Sequence, residues 1–215
     1  MRQTASQQVI FNIAKVQVEN FTVDSGASTT LLTSTAHGLE NGDALTLTVT
    51  SEVGDALPTG LSTTTRYYVI NATANTFELS LTIGGSAVEF SDDGQGTFTY
   101  WLKGKTIYVA DYEHIVLVMH TDLAELTFKI QGACTVEEPN FAISKAKDNI
   151  WDYVSIKDLE DGSSIDGDTG VSVTSGSDDV RQFEINTNGL NYITAEITAF
   201  TEGILGLFAT CYESK

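Results

Sequence analysis

Cysteine is scarce in this chain, at two in 215 residues, and basic side chains are few, at 11 Lys and Arg against 29 Asp and Glu. Cys134 and Cys211 cannot build a disulfide framework in a chain this long, and they lack the close pairing that holds zinc. They are expected to be buried and reduced, with one bridge as the alternative, because each lies in or beside a candidate strand. The formal net charge of −18 repels a phosphate backbone or an anionic bilayer surface. Neither nucleic acid nor a membrane is therefore expected as a partner. Long hydrophobic runs are missing too: the longest aliphatic stretch is Ile115-Val116-Leu117-Val118-Met119, far short of the ~20 residues of a membrane-spanning helix. The opening Met1-Arg2-Gln3-Thr4-Ala5-Ser6-Gln7 has no apolar stretch of the secretory kind, so no export is expected. Proline is limited to two residues, beside 29 threonines and 18 glycines, a balance that favours pleated strands joined by tight turns. With 41% hydrophobic and 19% charged residues the chain supports one large or two small packed domains rather than disorder.

Periodicity points to an all-β fold more firmly than composition does. Leu45-Thr46-Leu47-Thr48-Val49-Thr50 alternates, which puts Leu45, Leu47 and Val49 on one face and threonines on the other. Leu126-Thr127-Phe128-Lys129-Ile130-Gln131 repeats the pattern, as does Ile193-Thr194-Ala195-Glu196-Ile197-Thr198-Ala199, each with a polar row facing solvent or a neighbouring subunit. The unbroken run 115–119 reads as a central strand buried on both faces. Strands recur at short intervals with Gly, Asn and Asp between them, as in a sandwich or barrel. Only residues 137–148 would accept a short helix.

Composition also divides the chain. Between Val16 and Trp101 the single basic residue, Arg66, stands against ten acids, whereas eight Lys and Arg follow Trp101. Residues 1–20 are expected to form an arm or first strand belonging to a sandwich, residues 21–100 an inserted acidic module, and residues 101–215 the sandwich itself. Asp92-Asp93-Gly94-Gln95-Gly96 makes a turn-rich exit from the module. In the arm, Val9-Ile10-Phe11 is an apolar run with nothing nearby in sequence to pair with, and it is expected to join the sandwich or a neighbouring subunit.

Thr35-Ala36-His37-Gly38-Leu39-Glu40-Asn41-Gly42-Asp43-Ala44-Leu45, followed by Leu57-Pro58-Thr59-Gly60-Leu61, Tyr67-Tyr68-Val69-Ile70 and Asn75-Thr76-Phe77-Glu78-Leu79, carries a His-Gly-Leu, two residues, Gly-Asp signature. Over residues 35–99 it resembles a small β-module common in the virion proteins of tailed phages. Physically, Gly38 and Gly42 permit the turn, His37 can hydrogen-bond across it, Asp43 closes the signature, and Phe77 plugs a core. From Ile107 onward the chain is similar to capsid-associated or accessory phage virion proteins, in Trp151-Asp152-Tyr153-Val154, the acidic stretch 158–170 and Phe183-Glu184-Ile185-Asn186-Thr187-Asn188-Gly189-Leu190. The resemblance implies a jelly-roll-like β-sandwich with Trp151 and Phe128 as large core residues, and a non-enzymatic structural protein of the virion, assembled in the host cytoplasm. Capsid decoration is the implied role, with a tail or head–tail accessory that binds a receptor or carbohydrate as the alternative. The implied partners are the major capsid protein, other virion proteins and further copies of the chain, a trimer suiting a local threefold of a shell.

Candidate chemistry is thin. Asp24-Ser25-Gly26 and Asp168-Thr169-Gly170 spell tripeptides of the aspartic-protease kind, but each is also an ordinary turn, and they fall in different modules. Asp158, Glu160, Asp161, Asp166 and Asp168 crowd one loop, and hard cations favour such oxygens, yet the spacing fits neither an EF-hand nor a glycine-rich calcium repeat. A solvated loop is expected there, with Asp161, Asp166 and Asp168 as the weak candidates for a structural Ca²⁺; Asp43, Asp92 and Asp93 read the same way. His114 and His120, if on one strand, face the same side about 20 Å apart and cannot share a metal. No serine elbow or phosphate loop appears, so neither catalytic residues nor a cofactor are expected. Tyr100 and Trp101 lead the aromatics that could stack on a sugar.

Overall fold

A computed structural model describes residues 5–24, 29–141, 150–187 and 189–213. Every element among them is a strand, in agreement with the all-β expectation. The chain divides into two compact units, Lys15–Lys103 and a second made of Met1–Ala14 with Gly104–Lys215. The boundaries thus fall at 14/15 and 103/104 instead of 20/21 and 100/101. The reason is pairing: Val18, Glu19 and Asn20 lie opposite Trp101, Tyr100 and Thr99 inside the first unit.

The strand β1 (Ala5–Phe11) precedes the first unit, which holds β2 (Val18–Val23), β3 (Leu31–Thr33), β4 (Ala44–Val49), β5 (Tyr67–Ile70), β6 (Thr76–Ser80) and β7 (Phe98–Leu102). These six close into an antiparallel barrel in the order β2-β3-β6-β5-β4-β7. Alternation aims Leu32, Leu45, Leu47, Val69, Phe77, Leu79 and Tyr100 inward, where all are buried. Phe77 meets Tyr100 edge to face at 5.8 Å. The polar row of β4 is less exposed than its sequence suggests, since Thr46 pairs with Trp101 and is itself buried.

The second unit adds β8 (Ile107–Tyr108), β9 (Tyr112–Ala133), β10 (Asp152–Tyr153), β11 (Ile156–Asp158), β12 (Ser164–Ile165), β13 (Val171–Ser177), β14 (Val180–Asn186) and β15 (Tyr192–Glu213). Together with β1 they form one nine-stranded sheet. Its long strands β9 and β15 pair along their length and bend midway. Leu123 adopts φ 46°, β15 shifts register three times between Ile197 and Ile204, and Gly203 adopts φ 90°. A Cβ on Gly203 would come within 2.3 Å of the Ala124 Cα, so glycine is required at this corner.

The bend folds the sheet over into a sandwich. Inward positions on β9 are Ile115, Leu117 and Met119 before the corner, and Ala124, Leu126, Phe128 and Ile130 after it. Phe128, beyond the corner, meets Phe183, which pairs with Leu117 before it, at 6.3 Å between ring centroids. The run 115–119 is central, flanked by β14 and β15, but it is not buried on both faces. Val116 and Val118 stay partly exposed because one layer covers only one side of the strand.

The arm belongs to this unit. β1 pairs antiparallel with β15 from Ala5↔Tyr212 to Phe11↔Leu207. Ile10 and Phe11 are buried in the chain's own fold, and Val9 remains 39% exposed. Residues 137–141 are not helical, and the remainder of the 137–148 stretch, from 142, lies outside the described residues.

Candidate functional site

The His-Gly-Leu signature folds into a turn whose polar groups are occupied by the barrel itself. Ala36, Gly38 and Gly42 take φ of 54°, 66° and 96°, a left-handed path that glycine follows without strain. Asp43 accepts from the Glu40 amide at 2.8 Å and its own amide donates to the Glu40 carbonyl at 3.1 Å, which closes the loop. Gly42 and Val69 fasten that loop to β5 through two backbone bonds of 2.8 Å. Lys15 Nζ reaches Asp43 Oδ1 and Glu40 Oε2, each at 2.8 Å. Burial works against the Lys15 ammonium, but the two carboxylates outweigh it and its pKa is raised; the hydrogen bond from Lys15 lowers that of Glu40.

His37 is completely buried, edge-on to Phe77 at 5.2 Å. Its Nδ1 accepts the Leu39 amide at 2.9 Å, which assigns the ring proton to Nε2. Nε2 faces the Thr76 carbonyl without a hydrogen bond of ordinary geometry. Ser34 Oγ is likewise buried, turned toward the Tyr100 hydroxyl without such a bond.

Burial depresses the His37 pKa below its ordinary 6.5, with the Thr76 carbonyl opposing weakly. The unfolded chain therefore binds a proton at a pH where the folded barrel does not. The stability due to neutral His37 is complete above pH 6.5 and falls away as the pH drops from there toward the depressed folded value. The protection factors of the β6 amides, measured between about pH 7 and 5 and so corrected for intrinsic exchange, are expected to fall as the pH falls. In His37→Gln that dependence should flatten; an unchanged slope would place the titrating group elsewhere.

The acidic stretch is divided among separate structural tasks. Asp158, expected to be solvated, is buried and accepts from Arg181 Nη2, while its Oδ1 accepts the Glu160 amide at 2.9 Å. Asp161 and Asp166 each cap a turn two residues on, at the Ser163 amide (2.7 Å) and the Asp168 amide (2.9 Å). The Ser163 bonds hold the Asp161 carboxyl below the usual range. Asp168 is exposed on the turn. Asp92 caps likewise, accepting the Thr59 and Gly94 amides at 3.0 Å, and the Thr59 side chain together with those amides lowers its pKa. Among the described residues no three His, Cys, Asp or Glu side chains gather as a metal would need.

The protease tripeptides lie in different units, and Ser25 and Gly26 fall outside the described residues. His114 and His120 point to the outer side of β9, opposite Ile115 and Met119; His114 lies 3.3 Å from Glu184. Both cysteines are free. Cys211 is buried, which raises its thiol pKa, but Cys134 is exposed, contrary to expectation. Tyr100 is fully buried in the barrel and cannot stack on a sugar, whereas Trp101 is half-buried on the outer face with Nε1 donating to Thr48 Oγ1 at 3.2 Å.

Trp151 is buried, but in a satellite cluster with Ala133 and Phe141, against which Tyr153 and Tyr192 pack. Beside it runs a polar network that the sequence pattern hid. Gln131, expected to face solvent or a neighbouring subunit, is 2% exposed and donates to the Phe141 carbonyl (3.2 Å) and to Glu196 Oε2 (3.1 Å), which also accepts from the Tyr153 hydroxyl at 3.1 Å. A segment from outside the strands covers this part of β9, and alternation carries no signal of it. No family model, curated protein or solved structure matches the chain.

Proposed function

We propose that the chain is a non-enzymatic structural protein of a tailed-phage virion, and that it decorates the outside of the capsid shell. The observation that supports this reading is the use of His37, Asp43, Asp158, Asp161 and Asp166 in turns and ion pairs of their own units. The polar residues that stand out in the sequence are thereby accounted for by folding, with recognition left to surfaces. The major capsid protein or another virion protein is the partner, and copies of the chain associate with one another. With Ile10 and Phe11 committed to the chain's own sheet, a neighbour is reached through the faces and edges of that sheet instead of a free arm.

Purified protein added to undecorated shells is expected to saturate at a fixed ratio and to raise their melting temperature. Absence of saturable binding would overturn decoration. Half-buried Trp101, set among Thr46, Thr48 and Thr99, favours one second reading, a tail accessory that binds carbohydrate. Glycan binding that Trp101→Ala abolishes, with no binding to shells, would move the protein to that place.

A further inference from the structure

We infer that β1 is a self-pairing edge, along which a second copy of the chain adds antiparallel to make one continuous sheet across a twofold axis. The inference deepens the self-association proposed above and rests on that part of the reading alone. β1 ends its sheet, with β15 on one side and no strand on the other among the described residues. At its far end the Lys105 amide donates to the Ile10 carbonyl at 2.9 Å, and the register shift of the strand falls there, between Val9 and Phe11. Residues 5–9 are left as a regular strand without the bulge, proline or lysine that ordinarily blunts an open edge. The other seven-residue edge strand, β13, loses register after Val173 and offers a shorter flat stretch.

Charge selects the occupant. A chain of net charge −18 is repelled by copies of itself, and twofold antiparallel pairing about Gln7 sets Gln7 against its own counterpart, Ser6 against Gln8 and Ala5 against Val9. A charged side chain at the axis would face its like, and one beside the axis would lie diagonal to its like. Ala5-Ser6-Gln7-Gln8-Val9-Ile10-Phe11 carries none, in a protein with 40 charged residues by the counts of 11 basic and 29 acidic. The row of exposed Val9 and partly exposed Phe208 and Val118, paired across β1, β15 and β9, would continue into the second copy on the same face. A strand pair this short buries less than the roughly 1,000 Å² of a stable interface, so the dimer dissociates on dilution.

Sedimentation of the purified chain over a concentration series tests this directly, and its outcome does not depend on binding to shells. The expected result is a reversible monomer–dimer equilibrium. Gln7 is exposed, so Gln7→Lys and Gln7→Glu should keep the wild-type circular dichroism while each weakens association by about tenfold or more. An equimolar mixture of the two variants should recover the dimer, because Lys then faces Glu. If Gln7 variants misfold, Ser6→Lys and Ser6→Glu, which lie diagonal to their own counterparts across the axis, serve the same design with a smaller effect. A wild type that stays monomeric at its highest soluble concentration, a trimer in place of a dimer, or dimerisation indifferent to these charges would overturn the inference.

Discussion

Arg181→Ala is expected to destabilise the sandwich by about 3–5 kcal/mol, read as a shift in its chemical denaturation midpoint. The Asp158 side chain is 2% exposed and Arg181 supplies its countercharge, while the guanidinium lies over the Phe183 ring at 5.2 Å. Removing the arginine leaves a buried carboxylate with the Glu160 amide but no countercharge, and that penalty outweighs the loss of the attraction itself. Asp158→Ala combined with Arg181→Ala should therefore cost less than the sum of the two single changes. A loss near zero for Arg181→Ala would mean that water reaches Asp158 from the side on which Arg181 is 24% exposed.

The second large effect belongs to the barrel. Phe77 has no exposed surface, and its ring meets His37 at 5.2 Å and Tyr100 at 5.8 Å, both near edge-to-face geometry. Phe77→Ala opens a cavity that small, closed strands cannot collapse into, and about 3–5 kcal/mol should be lost. Amide exchange in β3, β5, β6 and β7 is expected to quicken about a hundredfold or more. Phe77→Leu, which keeps most of the volume, should fall well short of that; equal effects would argue that the aromatic edges matter more than the space filled.

Much of this architecture was legible because strand alternation is a local property. The repeats at Leu45 to Val49 and at Leu126 to Gln131 identify strands without knowledge of their neighbours. What covers a strand's second face is not local, and there the sequence misleads. Gln131 lies under Phe141, ten residues along, and Val116 and Val118 are open where an unbroken apolar run suggested burial. Asp158 looked like one acid among five, since its partner Arg181 is 23 residues away. The turn around His37 was readable for the opposite reason: its glycines, histidine and aspartate act on atoms within a few residues.

Where the barrel begins and ends has an evolutionary consequence. The Leu102 amide donates to the Gln17 carbonyl at 2.7 Å, so the two ends of the barrel leave it side by side. The flanking stretches meet as closely, through the bond between Lys105 and Ile10. A cassette with adjoining ends can be lost, exchanged or duplicated by recombination while the reading frame on either side still finds its partners. Such a gene can vary one unit without redesigning the fold of the other.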